Sequence, residues 1–174
     1  MERFKEIMEY PSAANCQKIL HLFGADKRIA EHGRAVAEIA MELADILSES
    51  GHVLNRSMLE AAALLHDVAR SEKNHAQHGS EWLRDLGYPS IAEVVAVHMD
   101  VPEEAIIQMD ERAILYLADK LVSGKKRVDI NQKFEQALSR YKHDADAIES
   151  VRKRMEKALR ILNNIKRKTP IAVS

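Results

Sequence analysis

The apolar residues of this chain recur every three or four positions rather than alternating, which predicts helices throughout. Only six glycines and four prolines interrupt the 174 residues, so turns are few. The pattern predicts a short N-terminal helix that stops near Pro11, followed by helices at about 12–23, 27–48, 58–68, 75–86, 90–98, 111–122, 131–141 and 144–168. The stretch 123–127 is predicted to be a loop.

The organisation of the chain favours one folded unit. We find no internal repeat, no low-complexity tract and no stretch with the composition of a linker. A chain of this length can bury one sizeable core and is short for two. We therefore expect an all-α fold, a single compact multi-helix bundle spanning 1–174, with flanking N- and C-terminal helices.

The composition of the chain limits the classes of partner and compartment that it favours. Lysine and arginine total 26 against 27 acidic residues, so the formal charge of −1 gives no overall attraction for nucleic acid or an anionic membrane. The lone Cys16 excludes an internal disulfide and fits a reducing compartment. No stretch has the uninterrupted apolar length of a membrane span. We expect a cytoplasmic protein, in which any attraction for phosphate is local.

His66 and Asp67 end the run 61–65, which is wholly apolar and has no polar face of its own. A carboxylate in such surroundings is costly unless it is paired, and burial alone would raise its pKa until it became neutral. A divalent cation reverses that effect and keeps the carboxylate ionised. The doublet therefore indicates a metal.

Other histidines and aspartates also occupy positions where the helical pattern predicts apolar side chains. Taken singly, each could be a hydrogen-bonded core residue. Taken together, they have the types that suit manganese, iron, zinc or magnesium, and they predict a metal site. The predicted ligands are His32, His66, Asp67, His78, His98 and Asp119.

Two details of this site stay open in the sequence. Adjacent helical residues diverge by about 100°, so His66 and Asp67 either meet one ion from the rim of a cavity or bracket two ions with the carboxylate as bridge. His75 competes with His78, which lies three residues later on the same predicted helix. We favour His78 because Gly79 and Trp82 give it the better inward register.

The order of His32, the His66-Asp67 doublet, His98 and Asp119 resembles the HD-domain superfamily of metal-dependent phosphohydrolases, and 64–70 is similar to its central motif. The resemblance covers about 27–125. It implies a first metal bound by His32, His66, Asp67 and Asp119. It also implies a second metal bound by His78 and His98, with Asp67 as bridge.

Within that superfamily, the chain looks most like the small two-metal hydrolases of symmetrical dinucleoside polyphosphates. Ala69 and the stretch 116–119 are similar to theirs. Two positions depart from the pattern, since Arg70 stands where a lysine is usual and no Glu-Pro pair follows Asp119. The resemblance therefore does not specify a substrate.

The reaction we expect is hydrolysis of a nucleotide or other small phosphoester or phosphoanhydride by metal-activated water. The cofactors would be one or two divalent metal ions per chain, with manganese, iron, zinc, nickel, cobalt and magnesium as the candidates. Besides Asp67, we assign catalytic roles to Arg70 and Lys73, which could bind a phosphate. An equally good interpretation is that both are solvated charges in a loop. Lys120 is expected to face away from the site, and 125–127 to be a solvated loop.

Two other functions remain open. Some HD proteins use a similar di-iron site for oxygenation, and others serve as nucleotide-sensing regulatory modules. The expected partner is a small, nucleotide-like phosphorylated metabolite, with no nucleic acid and no membrane. The apolar face of the last helix is interpreted as internal packing, with a homodimer surface as the alternative.

Overall fold

The computed structural model describes residues 9–168, which form nine α-helices and one β-hairpin. The helices are α1 (Ala13–Leu22), α2 (Lys27–Glu49), α3 (Arg56–Leu65), α4 (His75–Asp85), α5 (Pro89–Ala96), α6 (Glu103–Gln108), α7 (Glu111–Lys120), α8 (Ile130–Arg140) and α9 (Ala145–Lys168). In the hairpin, β1 (Val122–Ser123) pairs antiparallel with β2 (Lys126–Arg127). The all-α prediction is confirmed, while the helix predicted before Pro11 lies almost wholly outside the described residues.

Most helix starts are fixed by a short polar side chain. The side chain of the residue before each of five helices accepts hydrogen bonds from backbone N–H groups in the first turn, which would otherwise lack partners. These capping residues are Ser12, Asp26, Asn55, Asp110 and Asp129. The element boundaries therefore follow from local sequence.

Helix α3 is the centre of the core, where it contacts α1, α2, α5 and α7. Its residues 61–65 are all buried. Helices α2 and α3 approach closely at Gly33, where an added Cβ would lie only 2.6 Å from the backbone oxygen of Leu64. This contact places the start of α2 beside the end of α3, where the predicted ligands lie.

The structure differs from the prediction at three elements. The helix predicted to reach residue 68 ends at Leu65, because the apolar run continues through the following turn and hides the boundary. Helix α6 was not predicted, since six residues are too few to show a helical period. The predicted loop 123–127 contains most of the hairpin, whose two-residue strands are too short to show alternation.

Among residues 9–168, no helix combines the length and the apolar character that crossing a membrane requires.

Candidate metal centre

Four predicted ligands form one group of donor atoms, here called the first donor group. His32 Nε2 lies 3.1 Å from Asp119 Oδ1 and 4.0 Å from Asp67 Oδ2. His66 Nε2 lies 3.7 Å from Asp67 Oδ2 and 3.8 Å from Asp119 Oδ1. Two ligands of a tetrahedral zinc ion are about 3.3 Å apart, given bonds of about 2.0–2.1 Å. The spacing of these four donor pairs is close to what one cation requires.

The other oxygen of Asp67 belongs to a second donor group. Asp67 Oδ1 lies 3.2 Å from His75 Nε2 and 3.5 Å from His98 Nε2, and the two histidine nitrogens are 3.2 Å apart. Asp67 thus presents one carboxylate oxygen to each group. Of the two arrangements left open by the sequence, the geometry favours a carboxylate placed between two ion positions.

Five different parts of the fold supply these side chains. His32 lies in α2, Asp119 in α7 and His75 at the first position of α4, while His98 follows α5. His66 and Asp67 lie in the turn that begins where α3 ends. The packing of the helices on α3 is therefore what brings the donors together.

The ring orientation of three histidines is fixed by hydrogen bonds to the backbone. Each Nδ1 lies 2.7–2.8 Å from a carbonyl oxygen, which can only accept, so Nδ1 donates and a neutral ring turns its Nε2 lone pair toward the donor groups. The pairs are His32 with Gly124, His66 with Ala63, and His98 with Val95. This is the arrangement that metal-binding histidines adopt.

One polar atom of the site lacks a partner. His66 Nε2 is buried and has no hydrogen-bond partner among the described residues. A buried unpaired nitrogen costs free energy, which a bound cation would offset. The donor set and this orphaned atom fit a metal ion.

The protonation states of the donor side chains also suit a bound cation. Burial lowers the pKa of His66 to about 4, so its imidazole is neutral near neutral pH, as a metal ligand must be. Burial would raise the pKa of Asp67, but its close contacts with the imidazoles of His75 and His98 hold that pKa well below its usual range. Burial likewise opposes ionisation of Asp119, whose pKa the charge of Lys120 nevertheless keeps low. Both carboxylates are therefore ionised.

The predicted inward register of His78 is wrong. Its side chain is 45% exposed and lies 3.7 Å from Glu81 Oε2, whereas the side chain of His75 is 13% exposed and belongs to the second donor group. Gly79 is buried as expected, but neighbouring helical positions diverge by about 100°, which turns His78 toward solvent. His75 lies one turn before Gly79 and shares its inward face.

Of the predicted phosphate-binding cations, only Arg70 lies at the site. Arg70 Nη1 is 3.1 Å from His75 Nε2 and 3.8 Å from Asp67 Oδ1. Lys73 is exposed and is not among the described residues that line the cavity beside the donors. The placement of Lys73 at the site is therefore not supported by its position.

Two lysines next to Asp119 were misjudged or missed. Lys120 does not face away, since its buried Nζ lies 2.6 Å from Asp119 Oδ2 and above the ring of Tyr116. Lys133, from α8, donates from Nζ to the backbone oxygens of Asp119 and Val122. The signal for Lys133 was its place beside the buried Ile130 and Phe134 of α8, where a lysine needs a partner.

A cavity of about 720 Å³ opens beside the donors. Asp67, His98 and Asp119 form part of its lining, and residues of α8 and α9 form another part. This volume is within the range of about 300–1,000 Å³ that small-molecule sites occupy. The centre can therefore be reached by a ligand the size of a nucleotide.

Comparison with known proteins gives one family and several relatives. The family model for the HD domain matches residues 29–124. An uncharacterised protein of Methanocaldococcus jannaschii is 31% identical over 154 residues, a match that covers 76% of this chain and 88% of that protein. No solved structure matches the chain.

Two further relatives carry the name tRNA (cytidine(56)-2′-O)-methyltransferase. The protein of Thermoplasma volcanium is 26% identical over 148 residues, and that of Picrophilus torridus is 28% identical over 162 residues. The matches cover 75% and 83% of this chain but only 42% and 46% of the two relatives. The chain thus resembles less than half of each.

Proposed function

Because this chain belongs to the HD-domain family, we propose that it is a metal-dependent phosphohydrolase acting on a nucleotide or another small phosphoester or phosphoanhydride. The observation that carries the proposal is the pair of donor groups that share Asp67. Their histidine rings are oriented by backbone carbonyls, and His66 Nε2 is buried without a partner. Such a set has the composition of a hydrolytic metal centre.

Two ion positions follow from the donor groups. His32, His66, Asp67 and Asp119 would hold one divalent ion, and Asp67, His75 and His98 would hold the other. When bound, such ions lower the pKa of water and neutralise phosphoryl charge. Manganese, iron, zinc, nickel, cobalt and magnesium all remain candidates.

The protein's own cations supply the remaining roles. Lys120 Nζ holds Asp119 Oδ2, so the other oxygen of this carboxylate stays directed at His32. Arg70 lies at the edge of the second donor group and lines the cavity, where its guanidinium could hold a phosphoryl oxygen. We keep Arg70 as the phosphate-binding residue and replace His78 by His75 in the ligand set.

The names of the two methyltransferase relatives do not transfer to this chain. Each match leaves more than half of the relative uncovered, and the donor groups are of a kind that binds cations. Our proposal is therefore hydrolysis rather than methyl transfer. A cytoplasmic location, a single domain over 1–174, a homodimer and the absence of nucleic-acid or membrane partners stay predictions.

Elemental analysis of the purified chain, combined with a screen of divalent metals against phosphorylated metabolites, tests the proposal. We expect metal to copurify and at least one nucleotide-like phosphate compound to be hydrolysed. Asp67→Ala should lose metal and turnover together, because it removes an oxygen from both donor groups. Full metal content and turnover in Asp67→Ala would contradict the assignment.

The screen also separates the two alternative functions. Oxygen consumption by a di-iron protein that leaves phosphate compounds intact would indicate an oxygenase. Ligand binding without turnover under any divalent ion would indicate a sensor. Either outcome would overturn the phosphohydrolase proposal.

A further inference from the structure

The cavity beside the donor groups has a wall that the HD family model does not include. That model ends at residue 124, whereas Lys133, Arg140 and Arg154 of α8 and α9 line the same cavity as Asp67 and Asp119. The metal centre is common to the family. Residues that distinguish this chain's substrate are therefore best sought in α8 and α9.

Both helices are anchored to α7, which carries Asp119. Lys133 of α8 donates to the backbone oxygens of Asp119 and Val122. Tyr116, fully buried one turn before Asp119, donates from its hydroxyl to the backbone oxygen of Arg154 at 2.9 Å. The wall therefore has a fixed position relative to the donor groups, as ligand recognition requires.

Two arginines of this wall have free hydrogen-bonding capacity. Arg154 uses Nε and Nη2 to donate to the backbone oxygen and hydroxyl of Ser150, both at 3.2 Å, which orients the guanidinium and leaves Nη1 available. Arg140 has no ion-pair partner among the described residues and lines the cavity. Among the described residues, no hydrogen bond or ion pair joins either arginine to the donor groups. Both line the cavity as residues that belong to neither donor group.

Apart from Arg70, which lies at the second donor group, other exposed cations nearby are already paired. Arg28, which lines the cavity, pairs with Asp26 at 2.8 Å. A smaller hollow of about 400 Å³ adjoins the cavity at Met99 and Arg154, and there Lys157 pairs with Asp100 and Arg160 with Glu103. Away from the donor groups, Arg140 and Arg154 therefore stand out as cations with capacity for an external anion.

We propose that the substrate is a small molecule with two separated anionic groups, of which Arg140 and Arg154 bind the one that is not at the donor groups. The inference rests on the proposed phosphohydrolase function, because it takes the donor groups as the site of the reacting phosphate. A planar guanidinium that can donate two parallel hydrogen bonds suits a phosphate or carboxylate. The class includes nucleotides that bear a second phosphate.

A series of α,ω-alkane bisphosphonates of increasing length tests the inference on the full metal-loaded protein. Their carbon–phosphorus bonds are neither esters nor anhydrides, so binding can be measured by calorimetry without turnover. We expect one chain length to bind about tenfold to a hundredfold more tightly than the matching monophosphonate, as a charged hydrogen-bonded contact does. Arg140→Gln and Arg154→Gln should each remove most of that gain.

Arg152→Gln is the matched control, because Arg152 is exposed on α9 and does not line the cavity. It should keep the full gain. Equal binding of monophosphonate and bisphosphonate at every length, or a gain that survives both cavity substitutions, would overturn the inference. So would tighter binding of an oligoribonucleotide that depends on Lys153, Lys157 and Arg160, since that outcome indicates a polymer.

The two proposals fail separately. A phosphohydrolase with no bisphosphonate length preference retains the proposed function and loses the inference. A length preference that depends on Arg140 and Arg154, in a protein that hydrolyses no phosphate compound, supports the second anion site and contradicts the hydrolase.

Discussion

The Nε2 atoms of His75 and His98 lie 3.2 Å apart, and Asp67 Oδ1 lies within 3.5 Å of both. His98 donates from Nδ1 to the backbone oxygen of Val95, so its Nε2 carries a lone pair when the ring is neutral. Two nitrogens this close to each other and to a carboxylate need either a shared proton or a cation. The second donor group therefore depends on His75.

His75→Ala should lower the metal content more than His78→Ala does. The first substitution removes one of three donors from the second group, while His78 lies outside both groups and faces Glu81. We expect His75→Ala to lose about one ion per chain under the two-ion proposal, and His78→Ala to match the unsubstituted protein. Elemental analysis of both variants gives the answer, and the reverse order would restore His78 as the ligand.

Gly33→Ala should destabilise the protein, because the added methyl group would lie 2.6 Å from the backbone oxygen of Leu64. Overpacking of this kind costs about 1–3 kcal/mol of unfolding free energy, of which the better helix propensity of alanine offsets up to about 1 kcal/mol. It would also push α2 from α3 and so separate His32 from His66. Chemical denaturation and metal content should both show the loss.

The matched control for that substitution is Gly79→Ala. A methyl group there would lie 3.2 Å from the side chain of Val68, and its three nearest neighbours are all side-chain atoms. Alanine also favours the helix over glycine by up to about 1 kcal/mol. We expect its unfolding free energy to stay within about 1 kcal/mol of the unsubstituted protein. Equal losses of unfolding free energy in the two variants would show that the α2–α3 contact at Gly33 is no more sensitive to an added methyl group than the surroundings of Gly79.

The sequence allowed prediction of the all-α class, the HD resemblance and most of the residues that meet at the site. Those residues could be found because His32, Asp67 and Asp119 interrupt apolar stripes. The choice between His75 and His78 failed although the start of α4 was predicted at His75, because Gly79 was taken to mark the inward face for its neighbour His78, whereas it shares that face with His75 one turn earlier. In a short, polar helix such as α4, periodicity indicates the helix more reliably than it indicates which polar side chain faces inward.

The roles of α8 and α9 could not be predicted for a different reason. Arg140 and Arg154 look like ordinary surface charges in sequence, because nothing local marks them as lining a cavity. Their position depends on tertiary hydrogen bonds from Lys133 and Tyr116 to backbone atoms far along the chain. Such contacts leave no periodic signal.

Cys16 should resist alkylation in the folded protein. The residue is fully buried, and burial raises the pKa of its thiol to about 12. At pH 8 only about one thiol in ten thousand is then ionised, and the thiolate is the reactive form. Mass spectrometry after iodoacetamide treatment should show no adduct in buffer and one adduct in concentrated urea. Rapid modification of the folded chain would mean that α1 separates readily from the core.

Lys133→Met should lower the unfolding free energy by about 1–3 kcal/mol, since methionine fills similar space but leaves the backbone oxygens of Asp119 and Val122 without the donor they have now. A cation here also interacts favourably with the carbonyl end of α7. Lys142→Met, at an exposed position, should change stability by no more than about 0.5 kcal/mol.

The same lysine substitution separates anchoring from simple burial. If Lys133 holds α8 in place over the cavity, Lys133→Met should also weaken the bisphosphonate length preference. We expect this effect although Lys133 lies on α8 and Arg154 on α9. Lys133→Arg keeps a charged donor and should recover part of both properties. A Lys133→Met variant that loses stability but keeps the full length preference would show that α8 is positioned by its apolar contacts, such as Phe134, rather than by this lysine.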